Sequence, residues 1–281
     1  MGHEVYRAMT LGGLIGWTQS GWHIAGADSP RLFARHLRLV VQNRTSRGLI
    51  IRAVPHIVAP SHADPHCEVL PAGDAIIPVY NNFADTRTLL EALHVDRSFD
   101  GSIFIMHDAS TDARLAPMLH AFAARDKRAV LLVNDVNLGF VKTCNRGFAA
   151  STRDVVILNT DIELPAGGVG RILRKLQSSP SIASVTPFSN SAYCVGLPNL
   201  VYANERPFSA TVDDIDAILQ TMPSASEIVL PSGNGFCMGI SRRALDKVGV
   251  FDENFGKGYG EETDFCQRAI GLGWHHLHAL D

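Results

Sequence analysis

The chain has 281 residues, 46% of them hydrophobic. That share supplies a sizeable core, excludes disorder as the main state, and over this length allows one or two domains. A net charge of −3 with 19% charged residues argues against a protein built mainly to bind nucleic acid. The five cysteines, Cys67, Cys144, Cys194, Cys237 and Cys266, are scattered and contain no CxxC. This disfavours a disulfide scaffold or a zinc finger and suits a reducing compartment.

Charge is unevenly spread. Residues 1–71 carry seven Arg, no Lys and four acids, a net +3, which leaves 18 basic against 24 acidic groups in residues 72–281. Residues 8–27 hold no Asp, Glu, Lys or Arg, and about 20 apolar residues suffice to cross a bilayer. Five glycines, with Thr18, Gln19, Ser20 and His23, make insertion poor. A signal peptide running from Arg7 to Ala25-Gly26-Ala27 would have a short, glycine-rich apolar part. An irregular or helical, partly amphipathic leader is therefore expected. Arg31, Arg35 and Arg38 recur at helical spacing. They suit a solvated helix face, with peripheral contact to anionic lipid as the alternative. Residues 54–73 hold four Pro and three His and read as an extended linker. His56, His62 and His66 lack metal-ligand spacing.

From residue 74 strands and helices alternate. Strands are expected at 75–80, 102–106, 129–133, 155–159 and 182–186. Helices are expected at 85–93, 112–124, 141–150 and 168–177. Such alternation implies a mostly parallel sheet covered on both faces. Ligands of such sheets bind at the carboxyl ends of the strands. Those ends carry Pro78, Tyr80, Asn81 and Asn82; then His107, Asp108, Ser110 and Asp112; then Asn134, Asp135 and Asn137; then Asn159, Thr160, Asp161 and Glu163. Tyr80 can offer an aromatic face to a nucleobase, and Asp108 can accept from a base N–H or anchor a turn. A carboxylate at the end of the apolar run Val155–Leu158 is costly unless paired or bound to a cation. Mg²⁺ and Mn²⁺ combine carboxylates, waters and substrate phosphates, so Asp161 is a candidate anchor for a metal–diphosphate. Downstream, Gly258-Tyr259-Gly260 precedes Glu261, Glu262 and Asp264 at the start of a helix expected over 265–270. Helix capping accounts for some of these acids, and a carboxylate so placed can deprotonate a hydroxyl.

Ordered along the chain stand Ile76-Ile77-Pro78-Val79-Tyr80-Asn81, His107-Asp108-Ala109-Ser110-Thr111-Asp112, Asn137-Leu138-Gly139-Phe140 with Asn145-Arg146-Gly147-Phe148, and Leu158-Asn159-Thr160-Asp161. Gly235-Phe236-Cys237-Met238, Arg242-Arg243-Ala244-Leu245, Phe251-Asp252-Glu253 and Gly260-Glu261-Glu262-Thr263-Asp264 follow. In this order the pieces resemble family-2 glycosyltransferases of the GT-A fold, especially the rhamnosyltransferase-like branch. The resemblance implies an α/β nucleotide-diphospho-sugar transferase fold over 74–281, preceded by the basic segment and linker 1–73. It implies an inverting enzyme that moves a sugar from a nucleoside-diphosphate sugar to a glycan, lipid-linked or other hydroxyl acceptor, in the cytoplasm or at the inner membrane face. Pro78, Tyr80, Asn82 and Asp108 would hold the nucleoside. Asn137, Lys142, Asn159 and Thr160 would complete the donor site, with Lys142 near the diphosphate. Asp161 would bind Mg²⁺ or Mn²⁺. Glu262 would be the base, with Glu261 and Asp264 in support.

Two departures from the family stand out. His107 replaces the usual Asp or Asn. A strand and a metal-binding His normally follow Gly-Trp-x-His-x-x-x-Leu-Asp, whereas this sequence stops at Asp281. The domain is therefore expected to lack its C-terminal strand, and a catalytically impaired nucleotide-sugar binder is an alternative. A nucleotidyltransferase would carry a Gly-rich basic loop where Tyr80-Asn81-Asn82-Phe83 stands. No GxGxxG follows the first strand, against a dehydrogenase.

Overall fold

The computed structural model describes residues 8–10, 13–18, 21–25, 39–45, 48–53, 69–192, 194–197, 210–221 and 228–279. Arg31, Arg35, Arg38, Cys67 and the histidines at 56, 62 and 66 lie outside the described residues. The chain forms two compact units, 1–68 with 217–226, and 69–216 with 227–281.

In the first unit, β1 (Ala8–Thr10), β2 (Gly13–Thr18) and β3 (Gly21–Ala25) make an antiparallel sheet in that order, with Trp17 opposite Trp22. β4 (Leu39–Thr45) pairs antiparallel with β5 (Gly48–Ala53). For the described residues this corrects the expectation of an irregular or helical leader; the helical spacing at 31–38 lies outside them. The described parts are rich in Val, Ile, Trp and Thr, which favour strands, and glycines flank the runs.

The second unit contains β6 (Asp74–Val79), α1 (Phe83–Val95), β7 (Ile103–His107), α2 (Leu115–Arg125), β8 (Ala129–Val133), α3 (Phe140–Ala150), β9 (Val155–Leu158), α4 (Gly168–Gln177) and β10 (Ile182–Thr186). These match the expected elements to within a few residues. Beyond them come α5 (Val212–Gln220), which runs on into the first unit, β11 (Ile228–Leu230), β12 (Cys237–Ile240), α6 (Arg242–Val248), α7 (Glu261–Gly271) and β13 (His275–His278).

The eight-stranded sheet has the order β11-β13-β10-β12-β9-β6-β7-β8. β6, β7, β8 and β9 are parallel, while β12 enters antiparallel between β9 and β10. β6 shows why its sequence is apolar without interruption. Ala75, Ile77 and Val79 face a core shared with α1, α2 and α4, while Ile76 faces a second core shared with α3, α6 and α7. A strand covered on both faces has no polar side. Pro78 lies beyond the last β6–β9 pair, Ile76 with Ile157, so its missing N–H costs no bond to β9. α6 starts at a capping Ser241, whose hydroxyl accepts from Ala244 N at 3.2 Å.

β13 brings two histidines inside. His276 Nε2 lies 3.0 Å from the Cys266 carbonyl and Nδ1 2.7 Å from Ser184 Oγ. The carbonyl can only accept, so Nε2 carries the proton and Nδ1 accepts from the serine hydroxyl. His278 Nε2 is buried with no hydrogen-bond partner, and the ring meets Phe188 edge-on at 4.1 Å between centroids. Burial lowers both pKa values, that of His278 to about 4. An unfolded His binds a proton below about 6.5, whereas the buried ring does so only near its lowered pKa. Through that window the unfolded state binds more protons, so acidification destabilises the fold. The expected loss attributable to His278 between pH 6.5 and 5 is about 2 kcal/mol. Urea unfolding at both pH values checks this: His278→Leu should lose correspondingly less, and equal acid sensitivity would remove His278 as a cause.

Candidate active site

The parallel strands β6, β7, β8 and β9 deliver their carboxyl ends to one side of the sheet. After β6, Asn81 and Asn82 adopt left-handed backbone angles, φ 58° and 57°, which asparagine tolerates better than most residues. Asn81 Oδ1 accepts from Thr111 N at 2.9 Å, Thr111 Oγ1 at 3.2 Å and Asp112 N at 3.1 Å. The Asn81 N–H donates to Ser110 Oγ at 3.0 Å. The loops after β6 and β7 are thereby tied together. His107 belongs to the same tie: its Nε2 accepts from Ser110 N at 3.3 Å, and burial lowers its pKa. Asp112 is held down to about 2 by Arg114, which bonds it through side chain and backbone.

Asp108 is buried, and its carboxylate is taken up by the chain. Oδ1 accepts from Asn134 Nδ2 at 2.7 Å and Leu138 N at 2.8 Å, and Oδ2 accepts from Gly139 N at 2.9 Å. Of the two roles open to it in the sequence, the structure displays turn anchoring, and the turn is the one between β8 and α3. Asn134 also donates to Thr143 Oγ1 at 3.2 Å. Tyr80, Asn82 and Asp161 are exposed at the strand ends, with Pro78, Asn137, Asn159 and Thr160 half-buried there. Lys142 is exposed on α3, 3.9 Å from Glu253 Oε2.

The two acidic motifs meet through the sheet. β9 and β12 pair with Leu158 opposite Cys237, and Asn159 N donates to Phe236 O at 2.8 Å. The start of the Asn159-Thr160-Asp161 turn therefore lies beside residues 234–236. α7 begins after Gly260 (φ 104°), with Glu261, Glu262 and Asp264 in its first turn. The Glu262 carboxyl carbon would stand 4.0 Å from a Cβ on Gly235, and the Phe140 ring 3.5 Å from it. A side chain at 235 would enter the space these two share. Phe140 N donates to Lys257 O at 3.2 Å, so α3 and the loop before α7 are joined at their starts.

Within that first turn the three acids differ. Glu262 Oε2 and Glu261 Oε2 are both buried without a hydrogen-bond partner, and Glu262 is the one of the two whose side chain is partly exposed. Glu261 is 3% exposed, and its pKa is raised by burial and by the nearby Glu262 charge, against the pull of the backbone amides of Glu261 and Tyr259. The structure does not direct Asp264 to Glu262. Its carboxylate accepts from Arg268 Nε at 2.8 Å, and Arg268 reaches on to the carbonyls of Val248 and Val250. Phe140 and Gly235 were visible in the sequence only as parts of motifs, and nothing local marked them as neighbours of Glu262.

Among the described residues no group of three or more His, Cys, Asp or Glu is arranged to hold a metal ion. Asp161, exposed and unpaired with any described cation, fits the alternative in which one or two carboxylates and substrate phosphates share the ion. No helix of the described residues is long and apolar enough to cross a membrane.

A helix-flanked, mostly parallel sheet with exposed carboxylates at its strand ends, beside a helix start rich in acids, is an α/β architecture that matches proteins of the GT-A fold. Residues 74–249 match the sequence model of Glycosyl transferase family 2, and the chain belongs to that family. No curated protein matches by sequence. Solved structures share the fold at low identity. The mannosyltransferase PcManGT from Pyrobaculum calidifontis, in complex with GDP-Man and Mn²⁺, has a TM-score of 0.54 at 16% identity, over 79% of this chain and 58% of that one. GalNAc-T7 with UDP, GalNAc and Mn²⁺ has a TM-score of 0.57 at 13% identity, over 76% and 43%. S. aureus TarS 1–349 has a TM-score of 0.52 at 14% identity, over 75% and 58%. The chain thus spans less than two thirds of each of these structures.

The Asp108 anchor has a measurable consequence. In Asp108→Ala the amides of Leu138 and Gly139 and the Asn134 side chain lose their acceptor, at an expected cost of about 2–4 kcal/mol. Hydrogen exchange should quicken at residues 138 and 139 before the rest of the domain. Unchanged exchange there would show that the turn holds itself.

Proposed function

We propose that residues 74–281 form a glycosyltransferase domain that transfers a sugar, with inversion, from a nucleoside-diphosphate sugar to an acceptor hydroxyl. The observation that carries this reading is the β9–β12 pairing. It sets the turn bearing Asp161 beside Gly235, over which sits Glu262 with one buried, unpartnered carboxylate oxygen. A buried carboxylate oxygen with no donor is unstable as a purely structural feature, and it is suited to receive a proton. Membership of the family supports the reaction class.

In this reading Asp161, next to Asn159, holds a divalent cation together with the donor diphosphate. When bound, the cation supplies charge neutralisation for the departing nucleoside diphosphate. The strand-end residues Pro78, Tyr80, Asn82 and Asn137 line the nucleoside, Thr160 adjoins the diphosphate, and Lys142 adds positive charge. The Glu262 carboxylate takes the proton of the acceptor hydroxyl as the hydroxyl oxygen bonds to the anomeric carbon. The bond from that carbon to the diphosphate oxygen breaks on the opposite face, and its electron pair leaves with the diphosphate. Glu261 is buried next to Glu262 in sequence, and burial, with the Glu262 charge, raises its pKa. Residues 1–73 precede the domain as a separate segment. Buried, free Cys144, Cys237 and Cys266 agree with a cytoplasmic setting.

Glu262→Gln is expected to lower transfer by at least about a hundredfold while leaving nucleotide affinity within about twofold. Product analysis against a panel of nucleotide sugars measures the first, and near-normal turnover would sink the base assignment. Asp161→Ala is expected to weaken Mn²⁺-dependent binding of UDP or GDP by about tenfold or more, read by calorimetry. Unchanged dependence on Mn²⁺ would take Asp161 out of the metal site.

A further inference from the structure

Tyr259 combines two features that folding alone does not explain. Its ring is 97% exposed, the most exposed of the large hydrophobic side chains among the described residues. Its backbone is left-handed, φ 75°, a region that a bulky side chain enters only at a cost. The neighbouring residues that need positive φ, at 256, 258 and 260, are all glycines. Glycine at 259 would relieve the strain and lose no packing. The loop itself is fastened. Phe140 N donates to Lys257 O, Asp264 N donates to Gly260 O at 2.8 Å, and the Phe255 ring packs under Gly260. The backbone amide of Tyr259 faces the buried Glu261 carboxylate. A rigid, strained loop thus holds an aromatic ring in water, three residues before Glu262. Strain retained without a folding benefit is characteristic of ligand-binding positions.

We propose that Tyr259 is the platform on which the acceptor sugar stacks, so that the acceptor is a pyranoside presenting a face of C–H groups to the ring. This rests on the glycosyltransferase reading above and adds the chemical class of the acceptor. A pyranose ring offers C–H groups on one face and hydroxyls at its edge. Stacking that face on the phenol ring leaves the edge hydroxyls free to reach Glu262. A linear polyol has no such face and gains little from the ring.

The test is binding of methyl glycopyranosides (gluco, galacto, manno and rhamno), with ribitol as the linear control, followed by NMR with UDP and Mg²⁺ present. Tyr259→Ala should weaken the bound pyranoside by about three- to tenfold and leave UDP affinity within about twofold. Tyr259→Phe, which keeps the ring, should retain pyranoside binding. Tyr259→Gly should lose it while the melting midpoint rises by about 1–3 °C, because the strain goes and no contact is lost. Pyranoside affinity unchanged in Tyr259→Ala would overturn the proposal. So would wild-type protein that binds none of the four glycosides, or that binds ribitol as well as it binds them. Turnover of nucleotide sugars by the same samples reports separately on the glycosyl-transfer reading.

Discussion

The antiparallel pairing of β9 with β12 is the constraint on which the candidate site depends. Five bonded or facing positions, from Val155 with Ile240 to Asn159 with Phe236, fix where the chain that follows β11 enters the middle of the sheet. That register puts Gly233–Phe236 beside the turn bearing Asp161. It also puts Gly235, which has no side chain, under the Glu262 carboxyl. A slip of one residue along β12 would turn Met238 and Ile240 from one core to the other and place a side chain where Gly235 stands. The same bonds that complete the hydrophobic sheet therefore also position two carboxylates that are distant along the chain.

Around that frame the polar groups divide by whether the fold satisfies them. Asp108, Asn81, Asn134 and Asp264 look like site residues by type and position. Yet their bonds go to backbone amides, to neighbouring side chains and to Arg268. They make the strand-end loops stiff, and stiffness is what a site needs in order to hold a ligand in one geometry. Glu262 keeps a buried oxygen unmet, Asp161 stands open, and Tyr259 holds a strained backbone with an exposed ring. Unmet buried atoms also occur away from the site, at Asp96 Oδ2, Arg171 Nε and His278 Nε2, so it is the coincidence of the three features near the strand ends that marks the site.

The acids of α7 show how such a violation is tolerated. Glu261 and Glu262 stand in the first turn, where the helix dipole favours negative charge. Burial of the Glu261 carboxyl nevertheless raises its pKa, and the adjacent Glu262 charge adds to the rise. Asp264 escapes the crowding through its i,i+4 partner Arg268.

Much of the domain was legible in the sequence. Apolar-rich runs at 74–79, 103–107, 155–158 and 182–186 are strands covered on both faces, the run at 129–133 is the half-exposed edge strand, and the helices between them show their buried stripes. The sequence by itself determined that parallel core, the motif order that marks the family, and the acids at two chain positions. It did not reveal β11, β12 and β13, which are three or four residues long and too short for periodicity to show. Nor did it reveal the strands within 8–53, where glycines obscured the pattern. Only the tertiary structure decided that Asp108 anchors a distant turn, that Asp264 belongs to Arg268, and that Gly235 and Phe140 flank Glu262. Hydrogen bonds and close approaches between distant segments are not encoded at either partner alone, because each exists only once the sheet register has brought the two together.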